Sequence, residues 1–154
     1  MAITLQEGDK APAFTGKDQD GNKLSLRGYQ GKKLVLFFYP EAGTPTCTVE
    51  ACNLRDHFSA LREKGFEVLG VSPDTTVRQK KFEQQYKLPY RLLADENHKV
   101  AEKYGVRDWK IMFGHRYIGI LRTTFVLDEK GVILKIFRRP RNKAHAEEIL
   151  AALP

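Results

Sequence analysis

The chain alternates short apolar runs with segments whose apolar residues recur at helical spacing. Residues 33–39, Lys-Leu-Val-Leu-Phe-Phe-Tyr, form a nearly unbroken apolar run ended by Pro40, the pattern of a strand buried on both faces. From residue 45 to about residue 64 a helix is expected, with Val49, Cys52, Phe58 and Leu61 at roughly helical spacing and Gly65 as its stop. Residues 66–71 predict a second buried strand, and Pro73-Asp74-Thr75 opens a helix running to about Tyr86. A short strand at 91–93 and a helix at 97–104, halted by Gly105, come next. Residues 123–127 and 132–137 predict two strands joined by the turn Asp128-Glu-Lys-Gly131, and a helix over 143–153 closes the chain. Near the start, residues 14–17 and 24–26 flank the turn signal Asp20-Gly21-Asn22 and predict a hairpin. Residues 106–121 are aromatic and Gly-rich without periodicity, and are read as loop.

Strands alternating with helices, followed by a late hairpin, predict an α/β fold with a central mixed β-sheet, helices on both faces and an N-terminal β-hairpin. No linker, repeat or low-complexity tract divides the 154 residues, so one domain spanning 1–154 is expected. The longest apolar stretch, residues 34–39, is far shorter than the ~18–20 residues of a membrane span. Residues 1–15 lack the basic and apolar regions of a secretory signal. The expectation is a soluble cytoplasmic protein with no membrane partner. Lysine and arginine exceed acids by 26 − 19 = +7, with a basic cluster at Arg138, Arg139, Arg141 and Lys143. Only Phe137 stands beside that cluster, and the other basic residues are interspersed with acids. A solvated surface is expected there, with no nucleic-acid partner.

Two cysteines five residues apart, Cys47 and Cys52, carry the densest chemistry. In a reducing compartment they are core residues, metal ligands or reactive thiols rather than a structural staple. Thr44 is a good N-cap and Pro45 suits the first helical position, which puts Cys47 in the first turn. There the unpaired N–H groups and the positive end of the helix favour a thiolate, which should lower the Cys47 pKa below the ~8.5 of a free thiol. The Thr44 hydroxyl is placed to hydrogen-bond the sulfur or a substrate oxygen. A separation of five on a helix is ~7.5 Å of rise and about 140° of rotation, or about 8.7 Å between Cα atoms. A disulfide needs roughly 4.4–6.8 Å, so joining the pair requires the first turn to unwind. A metal site from Cys47, Cys52 and His57 is disfavoured, since the three point about 140° apart around one helix. A Cys-His hydrolase has no recognisable sequence context either. Cys52, beside Val49 on the apolar stripe, is also readable as a small core residue.

At these residues the chain resembles a peroxiredoxin, most closely the bacterioferritin comigratory protein or peroxiredoxin Q subfamily. The family pattern P-x-x-x-T-x-x-C is matched by Pro40, Thr44 and Cys47. The subfamily's T-x-E-A-C-x-x-R-D is matched by Thr48-Val-Glu50-Ala-Cys52-Asn-Leu-Arg55-Asp56. The family's R-[TS]-x-F falls on Arg122-Thr-Thr-Phe125. Further matches run from Gly8-Asp-Lys-Ala-Pro12-Ala-Phe14 through Gly70-Val-Ser72 to Asp128-Glu-Lys-Gly131, so the likeness covers nearly the whole chain. Thr46 stands where the family usually has glycine, and Glu41-Ala-Gly43 where it often has other polar residues; both bear on how readily the first turn unwinds.

The resemblance implies a thioredoxin-like fold and thiol-dependent reduction of hydrogen peroxide and organic hydroperoxides, although the chain has neither C-x-x-C nor a proline before Thr123-Thr124. It makes Cys47 the peroxidatic and Cys52 the resolving cysteine of an intramolecular disulfide cycle. Arg122 would hold the thiolate and polarise the peroxide, Thr44 would orient its oxygens, and Pro40 would shield the sulfenic acid. An external dithiol such as thioredoxin would recycle a monomeric enzyme without cofactor or metal. Phe38 and Trp109 are read as core residues, with a place in the pocket wall as the alternative. The alternatives are a non-enzymatic thiol redox sensor or binding module, and a basic nucleic-acid-associated domain.

Overall fold

The computed structural model describes residues 3–153. Five strands form the central sheet in the order β5-β4-β3-β8-β9: β3 (Lys33–Phe38), β4 (Phe66–Ser72), β5 (Arg91–Ala94), β8 (Thr123–Leu127) and β9 (Ile133–Phe137). Strands β3, β4 and β5 run parallel, while β8 is antiparallel to β3 and β9 to β8. The unbroken apolar run of β3 follows from its central place. Leu34, Leu36 and Phe38 face one core with Phe14, Tyr104 and Phe125. Val35 and Phe37, followed by Tyr39, face a second core with Cys47, Leu54, Phe82 and Ile149. Where β4 passes between them only glycine fits at Gly70, since a Cβ there would lie 2.9 Å from both Leu92 and Phe37 side chains.

The N-terminal hairpin is present as β1 (Thr15–Lys17) paired with β2 (Lys23–Ser25). Helices α3 (Thr76–Tyr86), α4 (Lys99–Lys103) and α5 (His145–Ala152) stand where the periodicity places them, with shorter ends. Three expectations need correction. The helix expected over 45–64 is broken at His57 into α1 (Pro45–Asp56) and α2 (Phe58–Glu63). The His57 ring Nδ1 lies 3.0 Å from the Asn53 carbonyl, which the His57 N–H also approaches at 3.2 Å, so the ring competes within the helical ladder. The apolar stripe of α1 is also rotated from the expected one. Its buried face carries Cys47, Glu50, Ala51 and Leu54, while Val49 is exposed and Cys52 half-buried. Finally, residues 106–121 are not a loop but an antiparallel ribbon, β6 (Arg107–Met112) paired with β7 (His115–Ile120). Apolar side chains on both faces of that ribbon erase the alternation by which a strand is recognised.

Candidate active site

The segment between β3 and α1 is fixed from the neighbouring strand end. Asp74 accepts from the Ala42 N–H at 2.7 Å and from the Ser72 hydroxyl at 2.6 Å. Arg78 reaches Glu41 at 3.1 Å on the outer side. Gly43, at φ 84, then turns the chain into α1, a left-handed conformation that favours glycine. Thr44 occupies the N-cap position and Pro45 the first helical one, so Cys47 stands third in α1. The first ladder bond runs from the Thr48 N–H to the Thr44 carbonyl at 2.9 Å. The amide groups ahead of it, including that of Cys47, therefore have no intrahelical acceptor.

The Thr44 side chain departs from the expected cap. It makes no capping bond, and its hydroxyl donates to the Glu41 carbonyl at 2.9 Å. Its proton is thereby committed, while its lone pairs are left to accept. The Cys47 sulfur is buried, and the Arg122 guanidinium approaches it from the residue before β8, with Nη1 donating to Sγ at 3.3 Å. The same Nη1 lies 3.5 Å from Glu50 Oε1. Cys47 and Glu50, three apart, share one face of α1, so one guanidinium spans both. Sequence, through two distant motifs, named Cys47 and Arg122; the fold joins them.

Glu50 is the residue that sequence reasoning left without a role. It is fully buried, and burial pushes its carboxyl up to about 7, against the pull of Arg122 and with a further push from Glu148. Its Oε2 has no hydrogen-bond partner among the described residues. A charged residue beside Ala51 and Leu54 on the inward face was the available signal, hidden by the misplaced stripe.

Cys47 and Cys52 are both free thiols on one unbroken helix. Burial, and to a lesser degree Asp56, raises the Cys52 thiol above its ordinary range, while Arg55 pulls the other way. The end of α1 is fastened to α5 by Asn53. Its amide donates to the Lys143 carbonyl at 3.0 Å and to Glu147 at 2.9 Å, and its oxygen accepts from the Ala146 N–H at 2.7 Å. The first turn has no comparable tie to another helix among the described hydrogen bonds.

An open cleft of about 540 Å³ lies over this turn, lined by Pro40, Thr44, Pro45, Thr46 and Arg122 and walled by Lys110, Met112, Tyr117 and Ile118 of the ribbon. Cys47 is buried and not part of this lining; its partner Arg122 is. The Lys110 ammonium donates to the Ile120 carbonyl at 3.0 Å, and its pKa is lowered by burial and by Arg122. Phe38 is buried core, but Trp109 is not core: it is exposed beneath the Arg116 guanidinium, 4.8 Å from its ring centroid. The basic cluster at 138–143 divides between two surface grooves, with Arg138 and Arg139 beside Arg122 in one, and Arg141 and Lys143 beside Pro45 in the other. No group of three His, Cys, Asp or Glu side chains is placed to hold a metal ion among the described residues.

Residues 7–136 match the AhpC/TSA family. The chain is 40% identical over 151 residues to peroxiredoxin Bcp of Bacillus subtilis, covering 98% of this chain and 96% of that one. Among solved structures it is similar to peroxidoxin BcpB from Mycobacterium tuberculosis, with a TM-score of 0.85, 34% identity and coverage of 97% of this chain and 96% of that chain. The bacterioferritin comigratory protein of Xanthomonas campestris, described in terms of alkyl peroxide reduction, matches with a TM-score of 0.85, 28% identity and coverage of 91% and 89%.

Proposed function

The chain belongs to the AhpC/TSA family and is a thiol peroxidase with the thioredoxin-like fold of the peroxiredoxins, and from that premise we propose how its own residues divide the reaction. Cys47 is the peroxidatic thiol. The observation that carries this assignment is the Arg122 donor 3.3 Å from its sulfur, in the first turn of α1 beneath the cleft. The Cys47 thiolate attacks the nearer peroxide oxygen; the O–O bond breaks, the sulfur becomes a sulfenic acid, and the departing oxygen takes a proton to leave as water or an alcohol. Arg122 holds the thiolate and follows the charge as it moves onto oxygen, using a permanent cation with several donors. Thr44, with its own proton on Glu41, accepts the hydrogen of the peroxide and so sets its orientation. Pro40 covers the site from the strand end.

Cys52 then resolves the sulfenic acid: its thiol gives up a proton and the sulfur attacks that of Cys47. The S–O bond breaks as the disulfide forms, and the departing hydroxide takes up the proton to leave as water. With both thiols on an intact helix, the ~8.7 Å between their Cα atoms must shorten. Asn53 holds the helix end on α5, so the first turn is the part that unwinds, and glycine-free Pro45-Thr46 sets how easily. An external dithiol reduces the disulfide by exchange, and thioredoxin fits that requirement. The cycle needs no second subunit, which supports a monomer of one domain over 1–154, and its thiol chemistry suits the cytoplasm.

Thiol titration with intact mass, before and after one equivalent of hydrogen peroxide, tests the assignment. The protein should lose both thiols and two hydrogens. Cys52→Ser should instead gain one oxygen or dimerise through Cys47. Oxidation at Cys47 alone in the unaltered chain would return Cys52 to a packing role, and retention of both thiols would overturn the assignment.

A further inference from the structure

We propose that the β6–β7 ribbon is a docking surface for anionic lipid membranes, holding the protein on the bilayer surface rather than in it. This goes beyond the peroxidase assignment and does not depend on it. The two strands form their own sheet, separate from the central one. Most of the large apolar side chains left exposed are gathered here: Trp109 (54% exposed), Ile111 (73%), Met112, Phe113 (95%), Tyr117 and Ile118. By the strand register, Trp109, Ile111, Arg116 and Ile118 share one face, and Lys110, Met112, His115 and Tyr117 share the other; Lys110, Met112 and Tyr117 of the second face, with Ile118 of the first, wall the cleft.

The turn is built at a conformational cost. Phe113 and Gly114 have φ of 51° and 78°, the signs of a type I′ turn, whose first position favours Asn, Asp or Gly. A bulky aromatic at positive φ is disfavoured, yet it stands at the tip and almost wholly in solvent. The charges around it are those an anionic surface attracts. Arg107, Lys110 and Arg116 lie on the ribbon, and Arg138 and Arg139 line the groove shared with Lys110. The nearby acids are few: Glu102 is paired with Arg107 at 2.9 Å, and Asp108 lies at the base of the ribbon. An apolar tip ahead of a cationic collar is the arrangement of an interfacial anchor, whose aromatic and aliphatic groups enter the headgroup boundary while arginine and lysine meet lipid phosphates.

A nucleic acid fits the ribbon less well. Ile111, Met112 and Ile118 offer no stacking face and Arg116 already covers Trp109, which leaves only Phe113 and Tyr117 to stack on bases. The absence of a spanning helix among the described residues does not bear on a contact that lies on the surface.

The test is co-sedimentation of the full chain with vesicles of phosphatidylcholine alone and of phosphatidylcholine with an equal share of phosphatidylglycerol, at low and at physiological ionic strength. The comparison is the double variant Ile111→Ser, Phe113→Asn, in which asparagine suits the turn and neither position lines the cleft. Expected are binding to the anionic vesicles, weakening with salt, and a partition coefficient at least about tenfold lower in the variant. Hydrogen peroxide consumption should be equal in the two proteins. No binding to anionic vesicles, or equal binding by the variant, overturns the proposal. So does sedimentation showing that the variant abolishes a dimer, which makes the ribbon an interface between copies, or that it abolishes single-stranded DNA binding. Peroxide inertness of both proteins would overturn the catalytic assignment while the vesicle result stands.

Discussion

Replacing Glu50 by glutamine separates what this carboxyl does for stability from what it does for Arg122. Its pKa rises from the ordinary 4.5 to about 7 because the carboxylate is desolvated, an effect only partly offset by Arg122. The native protein thus binds the Glu50 proton more tightly than the unfolded chain does. The resulting stability is fully present below pH 4.5, drains as pH rises, and is gone above pH 7. A shift of this size is about 3 kcal/mol. The glutamine variant carries a neutral side chain throughout, so the stability difference, variant minus unaltered protein, should grow by about 3 kcal/mol from about pH 4 to about pH 8. The amide also places a donor where Oε2 has no partner, which adds an offset independent of pH, so the slope is the diagnostic quantity. His145 gives the opposite slope: burial lowers its pKa, so its contribution is present above the ordinary 6.5 and is lost as pH falls. That contribution is common to both proteins and cancels in the difference. In exchange for its cost, the ionised Glu50 anchors Arg122 at 3.5 Å, beside the Cys47 sulfur. Glutamine should therefore slow the first oxidation roughly tenfold at alkaline pH, the worth of one charge-assisted hydrogen bond. Urea titrations at stepped pH and stopped-flow peroxide kinetics measure the two effects. A stability difference that stays flat with pH would refute the desolvated carboxylate.

Arg122→Met should lower the rate of Cys47 oxidation by about 10²–10³-fold in stopped-flow kinetics, and Arg122→Lys should restore only part of it, because a flexible, strongly hydrated ammonium lacks the rigid planar guanidinium whose Nη1 meets sulfur and Glu50 and whose other donors are left for the peroxide. A loss of less than threefold (roughly 0.7 kcal/mol) would remove Arg122 from the chemistry. Asn53→Ala takes away three hydrogen bonds, two from α1 to α5 and one to the Lys143 carbonyl just ahead of α5, and should cost about 1–3 kcal/mol in urea titration, while the first oxidation, governed by the other end of the helix, keeps its rate. An unchanged unfolding midpoint would mean that apolar contacts alone seat α5.

The sequence by itself determined much of the framework. The apolar run at 33–39, its Pro40 terminus and the Gly-Thr-Pro entry to α1 specify a buried strand leading into a helix that starts at Pro45, because these are local signals of period and backbone conformation; the side-chain cap expected of Thr44 is not made. They also determined that Cys47 opens a helix and that Cys52 cannot reach it without unwinding, since helix geometry fixes both. Three features lay outside that reach. The ribbon at 107–120 escaped because period-two alternation exists only where one face is buried and the other solvated, and here both faces carry exposed apolar groups. The rotated face of α1 escaped because it buries a charged residue, Glu50, that only a partner from 72 positions away can accommodate. The meeting of Arg122 with Cys47 was expected only through the family resemblance, not from local pattern: it is a long-range event, set by β8 lying antiparallel against β3, and strand order leaves no trace in a local pattern. Tertiary structure decided these because each depends on which groups share a low-dielectric interior, and local sequence does not specify that neighbourhood.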